Sequence, residues 1–270
     1  MNTAKSLSLL LAPLFAVVAT AVPNLEIPKD GLRLWLKAGE EFTTDQDKRV
    51  SGWADQSGKG NHVAQETVKR QPVLVSHVLN GHPVVRFDGA EPDDDFLYGQ
   101  IGPLEGPITV FAVAKFNNPS QTFGTDFADY VWNIGEGCKN NLSFARVSGN
   151  PKTLKNIYLS LWGLDCSVKG HLLGNPVEAQ KFQVSSAVYR SDLSHTFYIN
   201  GRIHSFMLKL PGKIQLNGVV ILGRFNHEIA HNALYGEIAE IMIYNFELSD
   251  SDRQRVEDYL LVKFGIEAES

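Results

Sequence analysis

From Leu32 onward the chain is a succession of short apolar or alternating segments separated by turn residues, and this spacing most limits how it can fold. Leu32, Leu34 and Leu36 alternate with Arg33, Trp35 and Lys37. Strand character returns at 73–76, 84–88, 108–116, 130–134, 157–162, 182–189, 196–203, 219–224 and 235–244. Asn200-Gly201 interrupts one of these stretches and marks a tight hairpin, because both residues tolerate the positive φ that such a turn requires. No amphipathic helices alternate with the strands, which argues against a parallel α/β fold. The pattern predicts an all-β sandwich or barrel.

One helix is expected, at the C-terminus. Ser251 and Gln254 have capping-box spacing. Val256, Tyr259, Leu260 and Phe264 then form one stripe, with Arg253, Arg255, Glu257 and Asp258 facing away, and Gly265 ends the helix. The stripe is predicted to pack across the sandwich. Segment 235–244 has apolar residues on both sides of its alternation, which predicts a central strand covered on both faces.

The first 21 residues read as an export signal: Lys5, a short apolar run to Val18, and the small residues Ala19-Thr20-Ala21. That run is too short to span a bilayer, and no later one is longer. Residues 22–270 are then expected to form one secreted domain, and a hydrophobic fraction of 43% is ample for one large core. The net charge of −5 argues against nucleic acid or an anionic membrane as partner. The two cysteines, Cys138 and Cys166, are expected to pair in an oxidising compartment.

Several segments carry a resemblance. They are Gly31-Leu32-Arg33-Leu34-Trp35-Leu36, the run from Trp53 through Asp55-Gln56-Ser57-Gly58 to Asn61, and Gly81-His82-Pro83-Val84-Val85-Arg86-Phe87-Asp88-Gly89. The strongest is Tyr235-Gly236-Glu237-Ile238-Ala239-Glu240-Ile241-Met242-Ile243-Tyr244-Asn245. In this order they resemble the laminin-G-like jelly-roll family of the concanavalin A-like lectin and glucanase superfamily. The resemblance implies an antiparallel jelly-roll β-sandwich. It names no single activity, because such domains bind sugars, bind proteins, or accompany glycoside hydrolases and lyases. Residues 117–182 match it poorly.

Five sets of residues could carry chemistry. Trp132, Tyr158 and Trp162 could stack on sugar rings, with Arg224 and Asn226 bonding hydroxyls; Tyr158 and Trp162 share one face of their strand. Asp88, Asp94 and Asp95, with Asp93, make an oxygen-rich loop that suits Ca²⁺ or reads as a solvated turn; the resemblance makes calcium plausible. His227-Glu228-Ile229-Ala230-His231 spells a zinc motif, but it lies between strands, without the long helix or third ligand such sites use. Glu237 and Glu240 lie three apart, on opposite faces of a regular strand, so only a bulge near Ala239 would bring them together as a glycosidase pair. Asn141-Leu142-Ser143 is an N-glycosylation sequon.

These readings favour a secreted carbohydrate-binding, lectin-like or cell-surface recognition module. The alternatives are a polysaccharide-active enzyme on the same sheet and an adhesion module that binds an extracellular protein.

Overall fold

The computed structural model describes residues 26–89, 93–117, 127–136, 139–148, 156–162, 168–176, 179–207, 214–225 and 233–269. The first strands are β1 (Leu32–Lys37), β2 (Phe42–Thr44), β3 (Val50–Trp53), β4 (Val63–Ala64), β5 (Val73–Leu79), β6 (His82–Phe87) and β7 (Leu97–Gln100). Then come β8 (Leu104–Glu105), β9 (Ile108–Phe116), β10 (Phe127–Glu136), β11 (Lys139–Ser148), β12 (Asn156–Trp162) and β13 (Val168–Pro176). The chain continues with β14 (Gln183–Tyr189), β15 (His195–Ile199), β16 (Arg202–Met207), β17 (Gln215–Leu216), β18 (Val219–Leu222), β19 (Gly236–Tyr244) and helix α1 (Asp250–Phe264).

The strands form an antiparallel sandwich. One sheet has the order β16-β15-β14-β9-β19-β6-β5, with β1 also paired to β19. The facing sheet runs β13-β12-β11-β10-β18-β7-β4-β3-β2, and β8 pairs with β17 in a separate ribbon. Between the sheets lies a continuous core that includes Leu34, Trp53, Phe87, Val110, Trp132, Phe144, Phe197 and Ile241. A second apolar layer joins the outer face of the eight-stranded sheet to α1, through Phe111, Val113, Met242 and Tyr244 against Val256, Leu260 and Phe264. Strand β19 is therefore buried along its whole length, on both faces, as its two-sided apolar pattern predicts.

Helix α1 differs from expectation at its start. Its cap is Ser249 rather than Ser251, and the Ser249 hydroxyl accepts the Asp252 N–H at 3.1 Å. Gly265 ends the helix as expected, in the left-handed region at φ 62°. Arg253 and Glu257, expected to face solvent, are 4% and 1% exposed. They pair with each other, Ser186 donates its hydroxyl to Glu257 at 2.6 Å, and the Arg253 guanidinium lies 3.8 Å over the Tyr198 ring. The helix is covered by β14 and β15 on its flank, so its buried face is wider than the apolar stripe.

The turn after β3 shows what one of the resemblance motifs does physically. The Asp55 carboxylate accepts N–H bonds from Trp35, Ser57 and Asn61, each at 2.9 Å, and the Ser57 hydroxyl at 2.7 Å. Gly58 and Gly60 supply the positive φ values, 81° and 74°, that let the chain wrap around this carboxylate. The motif is a folding device that ties β1 to the β3–β4 connection.

Candidate functional site

The nine-stranded sheet turns one face to the core and the other outward. Trp53, Val63, Leu97, Leu222, Trp132 and Phe144 point into the sandwich. The alternation then sends Gly52, Ala64, Tyr98, Ile221, Asn133 and Ser143 outward. These residues sit directly opposite one another in successive pairs, so they form one row across the sheet. Thr43 extends the row at the β2 edge, and Ser160 and His171 extend it by backbone register at the other end.

The two halves of this row differ. Asn133, Asn141 and Ser143 are fully buried; the Asn141 amide donates to Asn133 Oδ1 at 2.9 Å, and the Asn133 amide donates to the Gly135 carbonyl at 3.0 Å. The other half is open. Tyr98 is 41% exposed, its ring 6.0 Å from that of the buried Phe96, and it stands beside Ala64 and Gly52, which add almost no bulk. A ring tilted at 35° against a buried aromatic, with small residues at its side, can receive the C–H face of a pyranose while its hydroxyl stays at the rim.

Tyr98 was not among the sequence candidates. Its strand is short and follows an aspartate-rich loop, yet Phe96, Tyr98 and Gln100 alternate with Leu97 and Gly99, which is the signal that could have found it.

The sequence candidates divide as follows. Trp132 is 1% exposed and packs near Phe144 in the core, so it offers no face to a sugar. Arg224 is fully buried; its Nε lies 3.0 Å from Asp94 Oδ2 and its guanidinium 5.1 Å over Phe96. Tyr158 and Trp162 are placed by register opposite Ala145 and Asn141, flanking Ser160. Asn226, Cys138, Cys166, the segment His227–His231 and the leader 1–21 lie outside the described residues.

The aspartate loop is built from internal pairings. Asp93 meets Lys69 Nζ at 2.6 Å, Asp94 meets Arg224, and Asp95 Oδ2 accepts the Asp88 N–H at 2.8 Å. Among the described residues no three His, Cys, Asp or Glu side chains are grouped to hold a metal ion. In this geometry the Asp94 and Asp95 carboxylates, expected with Asp88 to suit calcium, are turned toward a cation and a backbone N–H of the protein. The sequon expectation is also revised. Asn141 Nδ2, the atom a glycan would occupy, is bonded within the fully buried part of β11.

Glu237 and Glu240 correct the expectation of opposite faces. Ile238 pairs with Ala114 and Glu240 with Val113, which leaves Ala239 as a bulge and turns both glutamates to the helix side. Each is 1% exposed. Glu237 is held by Arg86 and Lys115, each at 2.6 Å, and Glu240 by Lys263 and the indole Nε1–H of Trp35, each at 2.6 Å. Sharing a face does not make them a catalytic pair, because neither carboxylate opens to a cleft that a glycosidic bond could enter.

Two other buried groups have opposed pKa shifts. Burial pushes Asp95 up to about 7, and burial, assisted by Arg190, pushes His195 down to about 4. Between pH 4 and 6.5 the folded Asp95 holds more proton than the unfolded chain, so its contribution to stability falls as pH rises. Folded His195 holds less, so its contribution rises with pH. The two are expected to oppose each other at about 1 kcal/mol per pH unit. Urea melts across that range should show Asp95→Asn gaining stability relative to the parent as pH rises, and His195→Gln losing it. Parallel pH profiles for both variants would contradict these assignments.

The described residues thus define an antiparallel β-sandwich with a helix on one sheet and an open aromatic shelf on the other. No protein-family model matches the chain, and no curated protein matches it. Solved structures do share the fold. The binding domain of Paraclostridial Mosquitocidal Protein 1 is 13% identical with a TM-score of 0.59, over 86% of this chain and 53% of that one. The botulinum neurotoxin serotype D ligand binding domain, solved in complex with N-acetylneuraminic acid, is 14% identical with a TM-score of 0.58, over 87% and 52%. The binding domain of botulinum neurotoxin DC, solved with rat synaptotagmin II, is 12% identical with a TM-score of 0.61, over 86% and 52%. The chain therefore spans about half the length of these structures.

Proposed function

We propose that the chain is an exported recognition module of the laminin-G-like, concanavalin A-like kind that binds a glycan on the open half of its nine-stranded sheet. The observation that carries this reading is Tyr98, an exposed ring beside the bare positions Ala64 and Gly52 of the nine-stranded sheet. The likeness to toxin binding domains, one of them solved with a sialic acid, supports a recognition role for the fold. A protein ligand is the second reading, supported by the neighbour solved with synaptotagmin II. The buried, ion-paired state of Glu237 and Glu240 weighs against hydrolysis by that pair. Tyr158 and Trp162, on β12 of the same sheet, are proposed as a second glycan contact, apart from the one at Tyr98.

A glycan array probed with the native protein, and then with Tyr98→Ala, tests the proposal. Retention of defined glycans by the parent, reduced about tenfold or more in the variant at unchanged melting temperature, is the expected outcome. Equal retention by the variant would remove Tyr98 from the site. Absence of glycan binding together with capture of a protein receptor would favour the second reading.

Export is proposed with it, and so is a bond between Cys138 and Cys166. Asn141 in β11 pairs with Trp162 in β12, so the strand ends that adjoin the two cysteines, at Lys139 and Trp162, lie at the same end of the sheet. Closure of a loop of about 28 residues is expected to add about 3–4 kcal/mol in the chain-entropy model. The intact mass of the secreted protein should correspond to a chain starting near Val22 and lacking two hydrogens. A mass with both thiols free would contradict the bond.

A further inference from the structure

We infer, on the footing of the glycan reading above, that the ligand is an uncharged, unbranched oligosaccharide lying across the strands from Tyr98 to Thr43. Two features beyond the exposed ring carry this. The first is shape. Thr43, Gly52, Ala64 and Tyr98 are consecutive partners on four adjacent strands, and all but Gly52 are exposed, with Gly52 itself half-buried. Three strand spacings make a strip about 14 Å long, room for about three pyranose rings end to end. The strip is narrow in side-chain relief, so a linear chain can lie flat on it, whereas a branch would need depth that Gly52 and Ala64 do not provide.

The second feature is charge. Although 20% of the chain is charged, β2, β3, β4 and β7 contain no Asp, Glu, Lys or Arg. An anionic ligand such as a sialylated or sulfated glycan would find no cation on these strands to offset its desolvation. A neutral sugar finds one ring to stack on, with hydroxyl and amide groups at Thr43, Ser51 and Gln100 to bond.

The test blocks the strip without touching Tyr98. A Cβ at Gly52 would sit 3.4 Å from Thr43 Oγ1 and 3.5 Å from Thr43 Cβ, ordinary contact distances, so the position accepts a side chain, and Gly52→Leu, checked for an unchanged melting temperature, is the first blocking variant. Ala64→Leu, at an exposed position, serves as a second blocking variant. Calorimetric titrations would use uncharged linear gluco-, manno- and galacto-oligosaccharides of one to five units, with carboxymethylated counterparts. Affinity should climb to about three units in one series and then level, and both blocking variants should cut the longer ligands about tenfold, to the monosaccharide value. Tightest binding by monosaccharide or by the carboxymethylated series, no effect of either variant, or no binding in any series would each overturn the inference. Loss of binding on Tyr98→Ala with no effect of Gly52→Leu would overturn the strip alone and leave the ring reading standing.

Discussion

Replacing Arg224 by alanine is expected to lower stability by about 3–5 kcal/mol. Arg224 and Asp94 are both fully buried, 3.0 Å apart, and the guanidinium also covers Phe96. Without the arginine, Asp94 is left as a charge in the interior with its main counter-ion gone, and Phe96 loses the cover beneath the Tyr98 ring. Lysine should rescue little, because a single ammonium cannot reproduce the planar contact with both groups. The double variant Arg224→Met, Asp94→Leu should recover most of the loss, since removing both charges also removes their desolvation cost. Urea unfolding monitored by tryptophan fluorescence reads all four proteins. A loss below about 1 kcal/mol for Arg224→Ala would mean that the side chain is not buried in its pair, and would return it to the list of ligand contacts.

Trp132→Ala is expected to cost a similar amount, about 3–5 kcal/mol, for a different reason. The ring is 1% exposed and packed between the sheets, so truncation opens a cavity in the main core. Binding per folded molecule should survive, because Trp132 points away from the open face. Tyr98→Ala should behave in the opposite way, costing little stability and most of the affinity. A Trp132→Ala protein that is as stable as the parent but no longer binds glycan would invert this assignment. The comparison separates an aromatic that builds the fold from one available to a ligand, which sequence alone did not do.

Much of the sandwich is legible in the chain because its central strands are apolar by position. Strands β1 and β9 match the expected limits at both ends, and β19 lies one residue inside them. Strand β11 was not legible: its outward residues are Asn141 and Ser143, polar groups buried with hydrogen-bonding partners, and a polar row reads as a loop until those partners are known. The same reason hides Arg253 and Glu257, whose burial depends on Ser186 and Tyr198, far away in sequence. The Ala239 bulge changes the facing of Glu237 relative to Glu240, and only pairing with β9 reveals it. The open shelf was illegible for a further reason: exposure at Tyr98 results from small residues on β3 and β4, which the sequence does not place beside β7.

The central claim is that the outer face around Tyr98 is where a ligand meets this protein. Hydrogen exchange of the native protein, with and without the best glycan from the array, tests it most directly. Added protection is expected at β2, β3, β4 and β7, with β14, β15 and α1 unchanged. Protection concentrated instead along the groove between the β15–β16 hairpin and the segment after α1, lined by Gln183, Arg202, His204 and Glu267, with none at β7, would contradict it.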